Sequence, residues 1–248
     1  LTPDAFMHLP ALRGRLTPPE QSGLRTTPEV MAQWDERARS RGLPANWRLS
    51  NEELEASRLA LLGDHVRGGD LWIYGYGSLM WDPGFHFAEV RLADLHGYRR
   101  RFCYKSTLGR GSRDQPALML ALERGGGRCT GIAFRVAADV ADAESAILWR
   151  REMLRGGYRP VMLSMTTPQG DITALVMTAN VAHADYAGEL ALDDSAAMIA
   201  NASGVLGSNR DYLEQLARQL EALSIRDLYI EQLLQRVRAL TGPIHSEG

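Results

Sequence analysis

Trp72-Ile73-Tyr74-Gly75-Tyr76-Gly77-Ser78-Leu79-Met80-Trp81 opens as a β-strand and breaks at two glycines that flank a tyrosine. Leu71, Trp72, Ile73 and Tyr74 are all strand formers, and Gly75 and Gly77 interrupt them. Two glycines let neighbouring backbone N–H groups turn toward one point, where they cradle an anion or a developing oxyanion. A purely structural Gly-x-Gly turn fits the same pattern. Working outward, apolar runs bounded by Gly, Pro and Asp predict strands over about 71–76, 95–105, 116–123 and 128–136. A helix over roughly 140–154 follows, then strands near 158–166 and 171–179. Helices over about 192–202, 208–223 and 226–240 finish the chain, the last two opening on Ser208-x-x-Asp211 and Ser224-x-x-Asp227. Strands come first and helices last, which is an α+β order rather than a βαβ repeat. Six short, closely connected strands suit a small closed or nearly closed barrel.

Ahead of this lies a leader. Residues 1 to about 45 are rich in Pro, Arg, Thr and Ser and show little periodicity, so they read as an arm, flexible or laid along a surface. Ser50-Asn51-Glu52-Glu53 is a capping box, and Leu54, Leu59, Leu61 and Leu62 behind it predict a helix over about 50–63. Gly68-Gly69 closes the leader. The expected division is 1–69, an N-terminal arm with one helix, and 70–248, a compact catalytic domain. The chain begins at Leu1 rather than Met, as a truncated or processed start would.

Composition narrows the function classes. Of the 248 residues, 45% are hydrophobic and 7% aromatic, which is ordinary for a globular protein. The net charge of −2 argues against binding nucleic acid by phosphate neutralisation. Arg99-Arg100-Arg101 is the one basic cluster; on a strand its members point to alternate faces, so it reads as solvated strand rather than a patch. Two cysteines, Cys103 and Cys129, without Cys-x-x-Cys, supply neither a disulfide framework nor a zinc cluster, and a reduced cytoplasm is the natural compartment. No apolar run approaches the length of a membrane span, and the N-terminus carries no secretory h-region.

Glu152, in Leu148-Trp149-Arg150-Arg151-Glu152-Met153-Leu154, is the odd residue of its helix. On a helical wheel it falls between Leu148 and Trp149, with Arg150 and Arg151 projecting elsewhere. A carboxylate desolvated by such neighbours has a raised pKa, which suits proton shuttling near neutral pH. A surface glutamate at a helix C-terminus satisfies the same sequence. Other catalytic sets fail. The six histidines (8, 65, 86, 96, 183, 245) show no metal-ligand spacing. Ser78 follows Gly77, but Tyr76 stands where a nucleophile elbow needs glycine. Met80 stands where a dinucleotide fingerprint needs its third glycine, and the one lysine, Lys105, lies in no phosphate loop. No cofactor and no metal is implied. Arg110, in Gly109-Arg110-Gly111, and Tyr186, in Asp185-Tyr186-Ala187-Gly188, are placed to reach a pocket, or to serve as ordinary loop residues.

With these residues in view, the sequence resembles the ChaC-like γ-glutamylcyclotransferases that act on glutathione. The resemblance rests on Trp72–Trp81, Gly97-Tyr98-Arg99-Arg100-Arg101-Phe102-Cys103 and Leu148–Met153, with Gly157-Tyr158 and Ala202-Ser203-Gly204-Val205-Leu206-Gly207-Ser208-Asn209. It spans about 70–240 and leaves the leader uncovered. It implies a small mixed β-barrel with flanking helices and a helical C-terminal part, and a metal-free, cofactor-free reaction that splits glutathione into 5-oxoproline and cysteinylglycine. Glu152 would be the acid/base. The substrate-binding set would be Ile73, Tyr74, Gly75, Tyr76, Gly77, Ser78 and Leu79, with Arg110 and Tyr186. One departure concerns Ala187, where the family pattern leads one to expect a bulky apolar residue beside the tyrosine.

These residues suit that chemistry. In a γ-glutamyl amide the substrate's own α-amine attacks the γ-carbonyl and closes a five-membered ring, so no serine, cysteine or metal is needed. The expected partner is glutathione, with no nucleic acid and no membrane. Oligomeric state is not legible. Two other readings remain open: a cyclotransferase for other γ-glutamyl amino acids or amines, and a non-catalytic sensor of a γ-glutamyl ligand.

Overall fold

In the computed structural model, residues 4–241 are described. The elements in chain order are α1 (Pro28–Ser40), α2 (Asn51–Leu62), β1 (Leu71–Gly75), β2 (Glu89–Ser106), β3 (Ala117–Val136), α3 (Ala141–Glu152), β4 (Tyr158–Met165), β5 (Ile172–Ala179) and α4 (Leu192–Asn201). A two-residue hairpin, β6 (Ser203–Gly204) and β7 (Gly207–Ser208), leads into α5 (Asn209–Ala222) and α6 (Leu228–Thr241). The chain divides into two compact units: the segment up to Arg99 with Arg124–Asn180, and Arg100–Glu123 with the segment from Val181 on.

The first unit is built on one mixed sheet. Its strand order is β2-β3-β1-β5-β4. β1 is central, antiparallel to β3 from Leu71↔Val136 to Gly75↔Ile132 and parallel to β5 at Trp72↔Ala174 and Ile73↔Leu175. Leu71, Ile73 and Tyr74 are each 1% exposed, so both faces of β1 are covered and the run is continuously apolar instead of alternating. β3 pairs with β5 as well, and the edge strand β2 meets the end of β4 at one bridge, where Asp94 and Thr166 exchange both backbone hydrogen bonds (2.9 and 3.1 Å). The sheet therefore curls almost into a barrel without being closed by a full ladder. Phe85 and Phe87 each pack edge-on against the buried Phe134 of β3.

Five strands form this sheet where six are expected, because 116–123 and 128–136 are one strand, β3. The Gly125-Gly126-Gly127 run bends β3 without ending it: Gly127 takes φ +113, and a Cβ on Gly125 would lie 3.2 Å from Arg99 Nε. β2 also starts earlier, at Glu89.

The leader carries two helices rather than one. α2 has the expected box, with Glu53 N–H donating to Ser50 Oγ (3.1 Å) and Ser50 N–H to Glu53 Oε2 (2.8 Å). The unexpected α1 starts on Thr27, whose hydroxyl accepts from Val30 N–H, followed by Pro28 in the first turn. Low hydrophobicity hides it; its packing shows in Met31 (2% exposed), and Leu12, farther up the leader, is fully buried.

The second unit packs α4, α5 and α6 around Leu213, Leu216, Ile230, Leu233 and Val237, all buried. Ser208 and Asp211 form the expected capping box at α5. Ser224 does not cap α6: it lies at φ +54, closing α5 with Ile225 N–H donating to Leu220 O (2.8 Å), and Asp227 caps α6 through Ile230 N–H (3.2 Å). Of the three arginines only Arg99 is exposed as a solvated strand requires. Arg100 is 3% exposed and pairs with Asp227 (3.0 Å), while Arg101 pairs with Glu189 (3.1 Å) and covers the Tyr229 ring. Among the described residues no helix is long and apolar enough to cross a membrane.

Candidate active site

Two glycines set the path of the chain where β1 ends. A Cβ on Gly75 would lie 3.0 Å from Leu79 Cβ and 3.1 Å from Phe134 Cε2, so any side chain there would push both neighbours back by a few tenths of an ångström where the chain folds over itself. Across the ladder, a Cβ on Gly131 would sit 2.5 Å from Gly75 O, an impossible contact. Beyond Gly75 a single 3₁₀ turn, Ser78–Met80, closes with Met80 N–H donating to Gly77 O (2.9 Å) and Trp81 N–H to Ser78 O (3.1 Å). The amides of Gly77, Ser78 and Leu79 precede the first of these bonds, as the opening N–H groups of a helical turn do. The side chains around the turn anchor it. Ile73 is 1% exposed; the Tyr74 hydroxyl donates to Cys129 O and the Tyr76 hydroxyl to Met177 O, both at 2.7 Å. What this segment offers to a ligand is its backbone and the half-buried Ser78.

Glu152 is the last residue of α3. Its side chain is 14% exposed, between the buried Leu148 and Trp149 of the preceding turn. Burial pushes its carboxyl above the usual carboxylate range, against the opposing pull of Arg151. The negative end of the helix dipole acts in the same direction as burial. Arg151 does not project elsewhere. Its Nε lies 3.0 Å from Glu152 Oε1, its Nη2 donates to Ser78 Oγ (2.9 Å), and its Nη1 donates to Asp82 O (2.7 Å) and Pro83 O (3.2 Å). One guanidinium thus ties the carboxyl at the end of α3 to the turn at the end of β1. The sequence signal was the Arg-Glu pair itself; a wheel at 100° per residue separates neighbours, but a long side chain in the last turn folds back along the helix end.

Arg110 and Tyr186 belong to the second unit. Arg110 Nη1 donates to Ser208 O (2.8 Å) and its guanidinium lies over the Tyr212 ring, with burial lowering its pKa. The Tyr186 hydroxyl donates to Glu123 Oε1 at 2.6 Å, and this bond, with burial, pushes the phenol up to about 12. Tyr104 packs edge-on to Tyr186, and Cys103, beside Glu123, is pushed up to about 12 by burial. Glu123, 7% exposed, escaped the sequence reading because an acidic residue ending an apolar strand looks like a solvent-facing stop. Among the described residues no cluster of His, Cys, Asp and Glu could hold a metal ion; His245 lies outside them.

The curled mixed sheet thus brings the glycine turn at the end of its central strand and the desolvated glutamate at the end of α3 onto one guanidinium. The ChaC-like protein family model matches residues 71–240, and the chain belongs to this family. The glutathione-specific γ-glutamylcyclotransferase of Escherichia coli (strain K12) is 38% identical over 200 residues, covering 80% of this chain and 86% of that one. Glutathione-specific γ-glutamylcyclotransferase 1 of Rattus norvegicus is 32% identical over 176 residues, covering 68% and 79%. Among solved structures, a yeast γ-glutamyl cyclotransferase specific to glutathione superposes with a TM-score of 0.65 at 21% identity, covering 72% of this chain and all of that one. That likeness bears on the fold.

Proposed function

We propose that this chain is a glutathione-specific γ-glutamylcyclotransferase, with Glu152 as its general acid and base. The observation that carries the reading is the carboxyl of Glu152, raised by burial yet bonded to an arginine that also holds Ser78 of the glycine turn. The relatives' activity supports the substrate.

The substrate's α-nitrogen attacks its own γ-carbonyl carbon, a C–N bond forms, and collapse breaks the bond to the cysteinyl nitrogen. Two protons leave the α-ammonium and two arrive on the departing nitrogen, so one carboxyl cycling twice balances the reaction at neutral pH. A pKa lifted toward neutrality lets Glu152 both take and return them. The backbone N–H groups of Gly77, Ser78 and Leu79 hold the substrate α-carboxylate or the oxyanion. Ring closure is intramolecular, so much of the rate comes from holding the γ-glutamyl chain folded. Both cysteines are buried free thiols, which suits a reducing, cytoplasmic setting.

The test is mass spectrometry of products from reduced glutathione, with Glu152→Gln in parallel. 5-Oxoproline and cysteinylglycine from wild type alone is the expected outcome. Products from other γ-glutamyl amino acids but not glutathione would move the substrate. Tight binding without turnover would leave a sensor.

A further inference from the structure

The family match begins at residue 71, yet the segment before it grips the chain on both sides of the site. Thr17 N–H donates to Trp81 O (2.8 Å), immediately after the glycine turn. Leu49 N–H donates to Leu154 O (2.9 Å), two residues beyond Glu152. Between these, Arg25 makes the firmest link. Its Nη1 and Nη2 donate to Glu144 Oε2 and Oε1 (2.7 and 2.8 Å), and Nη1 also donates to Gly84 O (3.0 Å). Glu144, 5% exposed on α3, further accepts the backbone N–H of His86 (3.1 Å). A bidentate pair of this kind, with its carboxylate buried and its guanidinium half-buried, fixes geometry as well as charge.

The segment held this way, Asp82–His86, is the one on which Arg151 leans. Gly84 sits at φ +69, and a Cβ there would lie 3.2 Å from Arg151 Nη1, 3.3 Å from Ser22 Oγ and 3.4 Å from Leu24 O. The loop is therefore a layer between the leader and Arg151, and its carbonyls at Asp82 and Pro83 orient the guanidinium that meets Glu152. Resting on the function proposed above, we infer that Arg25 is a positioning residue for Glu152, acting through the Asp82–His86 loop and Arg151, and that the leader is part of the catalytic scaffold.

The contacts of Arg25 fall on residues 84 and 144 and miss the turn at 77–79, so chemistry should suffer more than binding. Arg25→Met in the otherwise unchanged chain is expected to lose about tenfold or more in kcat, with KM within about twofold of wild type. An Arg151 released from its carbonyls pulls less on Glu152, so the acidic limb of the kcat/KM profile moves to higher pH. Arg25→Lys, which keeps the charge but cannot make the bidentate pair, should fall between the two. It also carries the test if Arg25→Met fails to fold. A lowered melting temperature with kcat, KM and the acidic limb all as in wild type would overturn the inference. If wild type itself does not turn glutathione over, the proposed function fails separately. The ¹³C titration of the Glu152 carboxyl, assigned with Glu152→Gln, then decides: an identical titration in wild type and Arg25→Met rejects the positioning role.

Discussion

Arg151→Met removes one guanidinium and four contacts: Glu152 at 3.0 Å, Ser78 at 2.9 Å, Asp82 O at 2.7 Å and Pro83 O at 3.2 Å. The contact to Glu152 matters for proton transfer because it is made to one ionisation state more than the other. A hydrogen bond to a charged partner is worth about 1.5–3 kcal/mol. Its loss weights the Glu152 ionisation equilibrium toward the neutral acid by about 10- to 150-fold, at about 1.4 kcal/mol per factor of ten. Burial, which already raises the carboxyl, is then unopposed. On the acidic limb, where rate follows the ionised fraction, kcat/KM on glutathione should fall by about that factor. On the plateau above it, the loss should be smaller and due to misplacement alone. The assay is 5-oxoproline formation from pH 5 to 9 under kcat/KM conditions. A profile lowered by one constant factor at every pH, with its acidic limb unmoved, would show that Arg151 supports the fold of the loop and does not act on the Glu152 proton.

Glu152→Gln should also report on stability. A carboxyl whose folded pKa lies above its unfolded value contributes stability that is full below about pH 4.5 and lost as pH rises through the folded pKa. Glutamine does not ionise, so the variant's melting temperature should overtake wild type as pH rises to 8; a difference independent of pH would contradict the raised pKa. Asn209, fully buried, accepts Leu118 N–H (2.7 Å) and donates to Leu118 O (2.9 Å), so Asn209→Ala strands two buried groups. It should cost about 2–5 kcal/mol in urea denaturation, and a loss under about 1 kcal/mol would mean water replaces the amide. Tyr186→Phe keeps the ring on Tyr104 but removes the 2.6 Å bond to Glu123, so stability should drop by about 1–3 kcal/mol in the same experiment. If Tyr186 also touches substrate, KM for glutathione rises with it; an unchanged KM restricts the residue to supporting Glu123.

Local signals carried most of the elements. The apolar run Leu71–Tyr74 ending at Gly75 is a strand by composition alone, and Ser50-x-x-Glu53 and Ser208-x-x-Asp211 mark helix starts through bonds made within four residues. Glu152 stood out because a carboxylate between Leu148 and Trp149 conflicts with its own helix, and such conflicts collect where chemistry is done. Three features lay beyond local reading. Glycine in β3 looks like a terminator until a long partner strand is present to carry it through. Arg100 looks solvated until Asp227, 127 residues away, is brought to it. The roles of Arg151 and Arg25 depend on carbonyl oxygens at residues 82–84, and a backbone acceptor has no identity that a sequence could display. The sequence by itself singled out Glu152 as a carboxylate among apolar neighbours and Gly75–Leu79 as a strand end broken by glycine, because both follow from residue type and near neighbours. Only the tertiary structure decided that Arg151 joins that glutamate to Ser78 and Asp82 and that the leader bonds to Trp81, Gly84, Glu144 and Leu154, because those bonds join segments tens of residues apart and exist only once the chain has folded.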